Sequence, residues 1–226
     1  MSLRVAITRA APEAARTAAR VRERGGEPVL APLLTITPCG FDASLEGVQA
    51  LLFTSANGAR AFPDVRGAAG VRVLAVGDAT AQAAREASFL DVSSAGGDVS
   101  ALIQLAKSIL QPGGGKVVHI SGAHVAGDLT EELSRAGFQS ERRVAYAAVA
   151  AAALPPAFDE PLDIVLFHSP RAARTFIALG APGAERLMAG CISPAVAAAA
   201  GAVRWKRVIT ATAPREDDLL AATMGG

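Results

Sequence analysis

Two short stretches hold the polar side chains whose types and spacing best suit chemistry. The first runs Phe53-Thr54-Ser55-Ala56-Asn57-Gly58-Ala59-Arg60-Ala61-Phe62. It opens as the end of an apolar run and closes as the start of a helix. Thr54 or Ser55 can cap that helix through a side-chain oxygen. The backbone N–H groups left free there, together with the helix dipole, attract anions. The second stretch, Phe167-His168-Ser169-Pro170-Arg171-Ala172-Ala173-Arg174-Thr175-Phe176, repeats the first, with Phe, Ser, Ala, Arg and Phe at matching places. Pro170 suits a first helical turn. A strand that delivers hydroxyls to a helix start is how open α/β sheets build ligand sites at their carboxyl edge. The simpler reading of either stretch is a helix cap and nothing more.

Other chemistries are absent from the pattern. There is no nucleophile elbow, no phosphate loop and no dinucleotide fingerprint. The three histidines, His119, His124 and His168, and the two cysteines, Cys39 and Cys191, lack metal-ligand spacing. The cysteine usage reads as that of a reducing, cytoplasmic protein. A net charge of +1 gives no bulk basic surface for nucleic acid, so any anion binding must come from local groups. No apolar run reads as a membrane span, and no signal peptide is evident.

The elements that must position the two stretches follow from apolar runs and their punctuation. A strand at 3–8 leads to Arg9, then a helix over 12–24 stopped by Gly25-Gly26. Residues 28–38 carry prolines at 28, 32 and 38, which forbid a helix and disfavour a central strand, so the segment reads as a connector with edge-strand character. Strands are expected at 48–53, 71–76, 90–93 and 116–121. Helices are expected after them, with Gly77 opening the one over 79–87, a third from 98 or 100 to about 110, and a fourth over 127–135. A second extended segment covers 141–153. Strands at 164–167, 187–192 and 207–211 then alternate with helices at 171–179, 194–200 and 215–223. Strict βα alternation predicts parallel sheets with helices on both faces.

A chain of 226 residues allows one large domain or two small ones. The repeat favours two similar units. The last block has three strands and lacks a beginning, and the N-terminal βα unit resembles 116–137 in pattern. Residues 1–34 with 153–226 are therefore expected as one discontinuous domain and 38–148 as an inserted one. The segments 28–38 and 142–152 would cross between them as an antiparallel ribbon. The cleft where the carboxyl edges face each other is the default ligand site.

The combination Phe53-Thr54-Ser55-Ala56-Asn57-Gly58, Val76-Gly77-Asp78-Ala79-Thr80-Ala81, Val144-Ala145-Tyr146 and Phe167-His168-Ser169-Pro170 resembles uroporphyrinogen-III synthases. Ile7-Thr8-Arg9 matches too, as does Ala211-Thr212-Ala213-Pro214 ahead of a helix with Leu219 and Leu220. The resemblance spans nearly the whole chain in motif order. It implies two flavodoxin-like doubly wound domains joined by a two-stranded ribbon. It further implies a monomer that needs no cofactor and acts on hydroxymethylbilane, a linear tetrapyrrole with acetate and propionate side chains. Water would leave the hydroxymethyl carbon, and the macrocycle would close with inversion of the last ring, by way of an azafulvene and a spiro intermediate. Catalysis would rest largely on holding a flexible chain in a productive shape.

On this resemblance Tyr146 is the proton donor to the leaving hydroxyl; the plain alternative is a connector residue packed at the domain junction. Substrate carboxylates would meet Thr54, Ser55, Asn57, Gly77, Thr80, Ser121, Ser169, Pro170 and Ser193 at helix starts, and Arg9 at the edge. Ser193-Pro194-Ala195-Val196 lacks the hydroxyls common in the family after proline, so that contact is either lost or made by backbone groups. The competing readings are a two-domain protein that closes on a small anion without chemistry, and a degenerate homologue that binds such a ligand.

Overall fold

Apolar β-branched runs and alanine-rich helices set the architecture. It is seen in a computed structural model that describes residues 2–68, 70–124 and 129–225. The elements are β1 (Arg4–Ile7), α1 (Glu13–Glu23), β2 (Glu27–Leu30), β3 (Leu34–Pro38), β4 (Val48–Phe53), α2 (Ala56–Arg60), β5 (Arg72–Ala75) and α3 (Asp78–Glu86). They continue as β6 (Val92–Ser94), α4 (Val99–Ile109), β7 (Lys116–Gly122), α5 (Leu129–Arg135) and β8 (Ser140–Ala150). The last are β9 (Ile164–Phe167), α6 (Pro170–Ala178), β10 (Met188–Cys191), α7 (Pro194–Ala200), β11 (Arg207–Thr210) and α8 (Glu216–Met224). Single 3₁₀ turns occupy Pro156–Asp159 and Ala184–Arg186. The helix expected over 127–135 is seen from Leu129; its expected start at Gly127 lies outside the described residues.

The chain divides into two compact units, Met1–Thr35 with Val149–Gly226, and Ile36–Ala148. In the first, the sheet order is β2-β1-β9-β10-β11, parallel throughout. Val5 and Ile7 face α1 and α8 together with Ile164 and Leu166. Ala6, Val165 and Phe167 face α6 and α7. This is the alternation a sheet covered on both sides requires. Residues 28–30, expected in a connector with edge-strand character, form with Glu27 a strand of this sheet, with Pro28 opposite Val5. It sits at the sheet edge, where a residue without an N–H is tolerated.

In the second unit the order is β3-β8-β7-β4-β5-β6. Strands β4 to β8 are parallel. Leu52, Leu74 and Val117 face α4 and α5, while Leu51, Phe53, Val73 and Val118 face α2 and α3. Cys39 N–H donates to Ala145 and Ala151 N–H to Leu33, so β3 and β8 run in opposite directions. Starting from β7, the order β8-β7-β4-β5-β6 repeats the order β2-β1-β9-β10-β11, with chain order permuted. Strands β4 and β9, which end in the duplicated stretches, thus hold the same place in the two sheets.

Candidate functional site

The expected site residues follow the carboxyl ends of the three middle strands of each sheet. In the second unit these ends are Thr54-Ser55 after β4, Gly77 after β5, and Ser121-Gly122 closing β7. In the first unit they are Thr8-Arg9 after β1, His168-Ser169 after β9, and Ser193 beyond β10. Each sheet reverses its strand order at one place, between β7 and β4 in one and between β1 and β9 in the other. The crevice at such a reversal is where parallel sheets take ligands.

In the second unit, Ser55 Oγ accepts the Asn57 N–H at 3.2 Å and caps α2. Asn57 is half-buried in its first turn. Helix α2 spans five residues, so its dipole is small and its anion-binding capacity rests on the few N–H groups themselves. Gly58 is required there, because a Cβ would stand 2.8 Å from the Ile120 carbonyl oxygen. Thr54 Oγ1 lies 3.0 Å from Nε2 of His119, a residue buried on β7. Gly77 caps α3 with φ of −164°, an extended conformation open to any residue, and a Cβ would meet only Gly97 O, at 3.7 Å. Neither the turn nor packing demands glycine at this rim position. Thr80 is buried one turn into α3, its N–H bonded to Gly77 O.

Ser121 is 1% exposed. Its Oγ accepts from Arg142 Nε at 2.8 Å and lies 3.2 Å from Gly122 O, to which it donates. Arg142 Nη2 also donates to Gly122 O at 2.7 Å and to Ala123 O at 3.0 Å. The hydroxyl expected to meet substrate is thus engaged, and the guanidinium of Arg142 is presented at this rim. Tyr146 is half-buried on β8 beside Gly122, its register partner across a bulge. A Cβ on Gly122 would lie 2.8 Å from the tyrosine ring and 3.1 Å from its hydroxyl. Glycine is what lets the ring lie there.

In the first unit, Ser169 Oγ caps α6 by accepting the Ala172 N–H at 3.1 Å, with Pro170 at the first helical position. Ser193 precedes α7 without a side-chain cap. Of the two residues after Pro194, Ala195 is exposed and Val196 is core. Arg9 Nη1 donates to Glu216 Oε2 at 3.1 Å, and His168 Nε2 meets the same oxygen at 2.9 Å. Burial would raise the Glu216 carboxyl, but the hydrogen bond and charge of His168, with help from Thr17 and Arg9, hold it down at about 2. Burial also lowers the His168 pKa, which Glu216 only partly offsets. Arg9, expected to meet a substrate carboxylate, has an internal carboxylate partner here.

Sequence reasoning assigned no function to His119, His168, Glu216 or Arg142. Their partners lie 65, 48, 48 and 21 residues away, so no local spacing announces them. The expected residues also stand apart from a groove of about 430 Å³, lined by Phe158, Glu160, Leu162, Arg186 and Leu187, just ahead of β9 and β10. Among the described residues no group of three or more His, Cys, Asp or Glu is gathered to hold a metal. No helix among them is long and apolar enough to cross a membrane.

Two units of parallel α/β structure, with polar residues gathered at the carboxyl ends of the strands flanking each reversal, define a ligand-handling α/β protein. The profile of the family described as "Uroporphyrinogen-III synthase HemD" matches residues 15–221, and the chain belongs to that family. It is accordingly an enzyme, a lyase of porphyrin and haem biosynthesis, which cyclises hydroxymethylbilane to uroporphyrinogen III with loss of water and inversion of the last ring. The fold is similar to that of uroporphyrinogen-III synthetase from Helicobacter pylori, with TM-score 0.67, 16% identity and 97% of each chain covered. It is also similar to a mutant uroporphyrinogen III synthase from Thermus thermophilus, with TM-score 0.54, 18% identity and 97% and 96% of the two chains covered. No match was found among curated proteins.

Proposed function

We propose that the enzyme works by holding hydroxymethylbilane through its carboxylates at the carboxyl ends of both sheets while Tyr146 gives a proton to the departing hydroxyl. The substrate's hydroxymethyl C–O bond breaks, the hydroxyl leaves as water with the tyrosine proton, and the first ring's N–H proton returns to the tyrosinate, which leaves a neutral azafulvene. The last ring then attacks through its substituted carbon, and the resulting spiro intermediate rearranges to the inverted macrocycle. A phenol carries an O–H that it can donate to a departing hydroxyl. The observation that carries this reading is Gly122: its missing side chain admits the Tyr146 ring to the end of the middle strand β7.

On this reading Thr54, Ser55, Asn57, Gly77 and Thr80 at the end of one flavodoxin-like sheet, and Ser169, Pro170, Ser193 and the Glu216-held Arg9 at the end of the other, take the substrate's carboxylates. Ser121 contributes by fixing Arg142. The common strand order of the two sheets supports the flavodoxin-like assignment. The paired β3 and β8 serve as the ribbon between domains 1–34 with 153–226 and 38–148. The enzyme acts as a cytoplasmic monomer and needs no cofactor and no nucleic acid. Tyr146→Phe tests the acid role. We expect kcat to fall at least about tenfold with KM within about twofold, because the proton is needed only in the transition state. An unchanged kcat would assign Tyr146 to packing alone.

A further inference from the structure

We infer that Arg142 is a binding residue for one carboxylate of the tetrapyrrole substrate, an inference that rests on the substrate reading above. Most arginines with assigned contacts in this protein are paired with a carboxylate: Arg4 with Glu27, Arg72 with Asp91, and Arg143 with Glu141. Arg142, next to Arg143 on the same strand, differs. Its Nε and Nη2 donate to three neutral oxygens, those of Ser121, Gly122 and Ala123. No carboxylate pairs with it among the described residues. The guanidinium is therefore held in place with its charge uncompensated.

That combination is what a carboxylate site requires. The side chain is exposed, so its charge can be met from solvent. Its anchors lie at the carboxyl end of β7, beside the strand-order reversal. It is also tied to the same residue, Gly122, over which the Tyr146 ring lies. A guanidinium already fixed loses little further side-chain freedom on binding, and its remaining N–H groups form charge-assisted bonds with carboxylate oxygens. The ligand class follows: an acetate or propionate on a ring close to the hydroxymethyl carbon, since Tyr146 serves that carbon.

The test uses the full-length enzyme with hydroxymethylbilane as substrate and reduced uroporphyrinogen III as the binding probe. For Arg142→Gln we expect KM and the product Kd to rise about 10- to 100-fold, the range of one charge-assisted bond. kcat should stay within about threefold, and the salt dependence of Kd should flatten, because one ion pair is gone. A purely structural tie would lower Tm or kcat and leave the salt dependence alone. Unchanged affinity, or weaker affinity with an unchanged salt slope, overturns the inference. Wild-type protein provides a second readout that no substitution can compromise. The Arg142 ¹⁵Nε–¹Hε signal should shift on saturation with uroporphyrinogen III, and a signal that does not move overturns the inference even if the variant fails to fold. If the wild type itself yields no type III isomer and binds no product, the substrate reading fails instead. If it does both while Arg142→Gln behaves like wild type, only this inference fails.

Discussion

Gly122 and Tyr146 form the most demanding contact at the residue scale. Gly122→Ala would set a methyl group 2.8 Å from the tyrosine ring, so the ring must swing away. We expect kcat to drop about tenfold or more, approaching the Tyr146→Phe value, with a smaller change in KM. Wild-type kcat in the alanine variant would mean the ring position is irrelevant to the chemistry. Glu216 is part-buried beside His168 and Arg9. Its carboxyl is depressed to about 2 by His168, Thr17 and Arg9 against the effect of burial, so its contribution is complete above the unfolded value near 4.5. It is lost as pH falls from there through about 2. His168, also depressed, adds stability above about 6.5 that fades at lower pH. Glu216→Gln should cost about 2–3 kcal/mol at pH 7, and the gap to wild type should narrow below pH 4.5 in denaturant unfolding. A gap independent of pH would contradict the assignment. None of these pairings was legible in the sequence, because Arg9 and Glu216 stand 207 residues apart and meet only through the sheet.

At the scale of elements the sequence was far more informative. The runs at 48–53 and 164–167 and the hydroxyl-bearing residues after them are strands β4 and β9 with Ser55 and Ser169 as helix caps. The duplicated phenylalanines turn out to be core. Phe167 packs on Phe176 at 5.8 Å, and Phe53 and Phe62 both pack on Phe89. Much of the repeat therefore records how a strand end and its helix fit together. Pro28 reads as part of a connector with edge-strand character, and β2 forms around it at a sheet edge, where its missing N–H is without consequence. Which edge a segment occupies depends on the whole sheet and cannot be read locally. Gly58 seats α2 against β7. A methyl group would press on the Ile120 carbonyl, so Gly58→Ala must lift α2 from β7. The expected cost is about 1–3 kcal/mol in stability, with Ser55 and Asn57 displaced. Wild-type stability by denaturant unfolding would show that the helix yields without strain.

For the whole molecule, the first unit is assembled from both ends of the chain. Its strand β1 lies between β2 and β9, more than 130 residues apart in sequence. The second unit has the same strand order with its β7–α5–β8 portion last instead of first. The two reversals consequently carry comparable polar groups, Arg9 and Ser169 in one and Ser121 and Ser55 in the other. A long flexible substrate with many carboxylates needs such distributed contacts more than it needs one strong base. We expect this arrangement to direct ring inversion, because unassisted closure gives the uninverted type I isomer. The most direct test generates hydroxymethylbilane in situ, oxidises the products, and separates type I and type III isomers by chromatography. We predict predominantly type III with the wild-type enzyme. Only type I from well-folded protein would overturn this, leaving a fold that binds without steering the cyclisation.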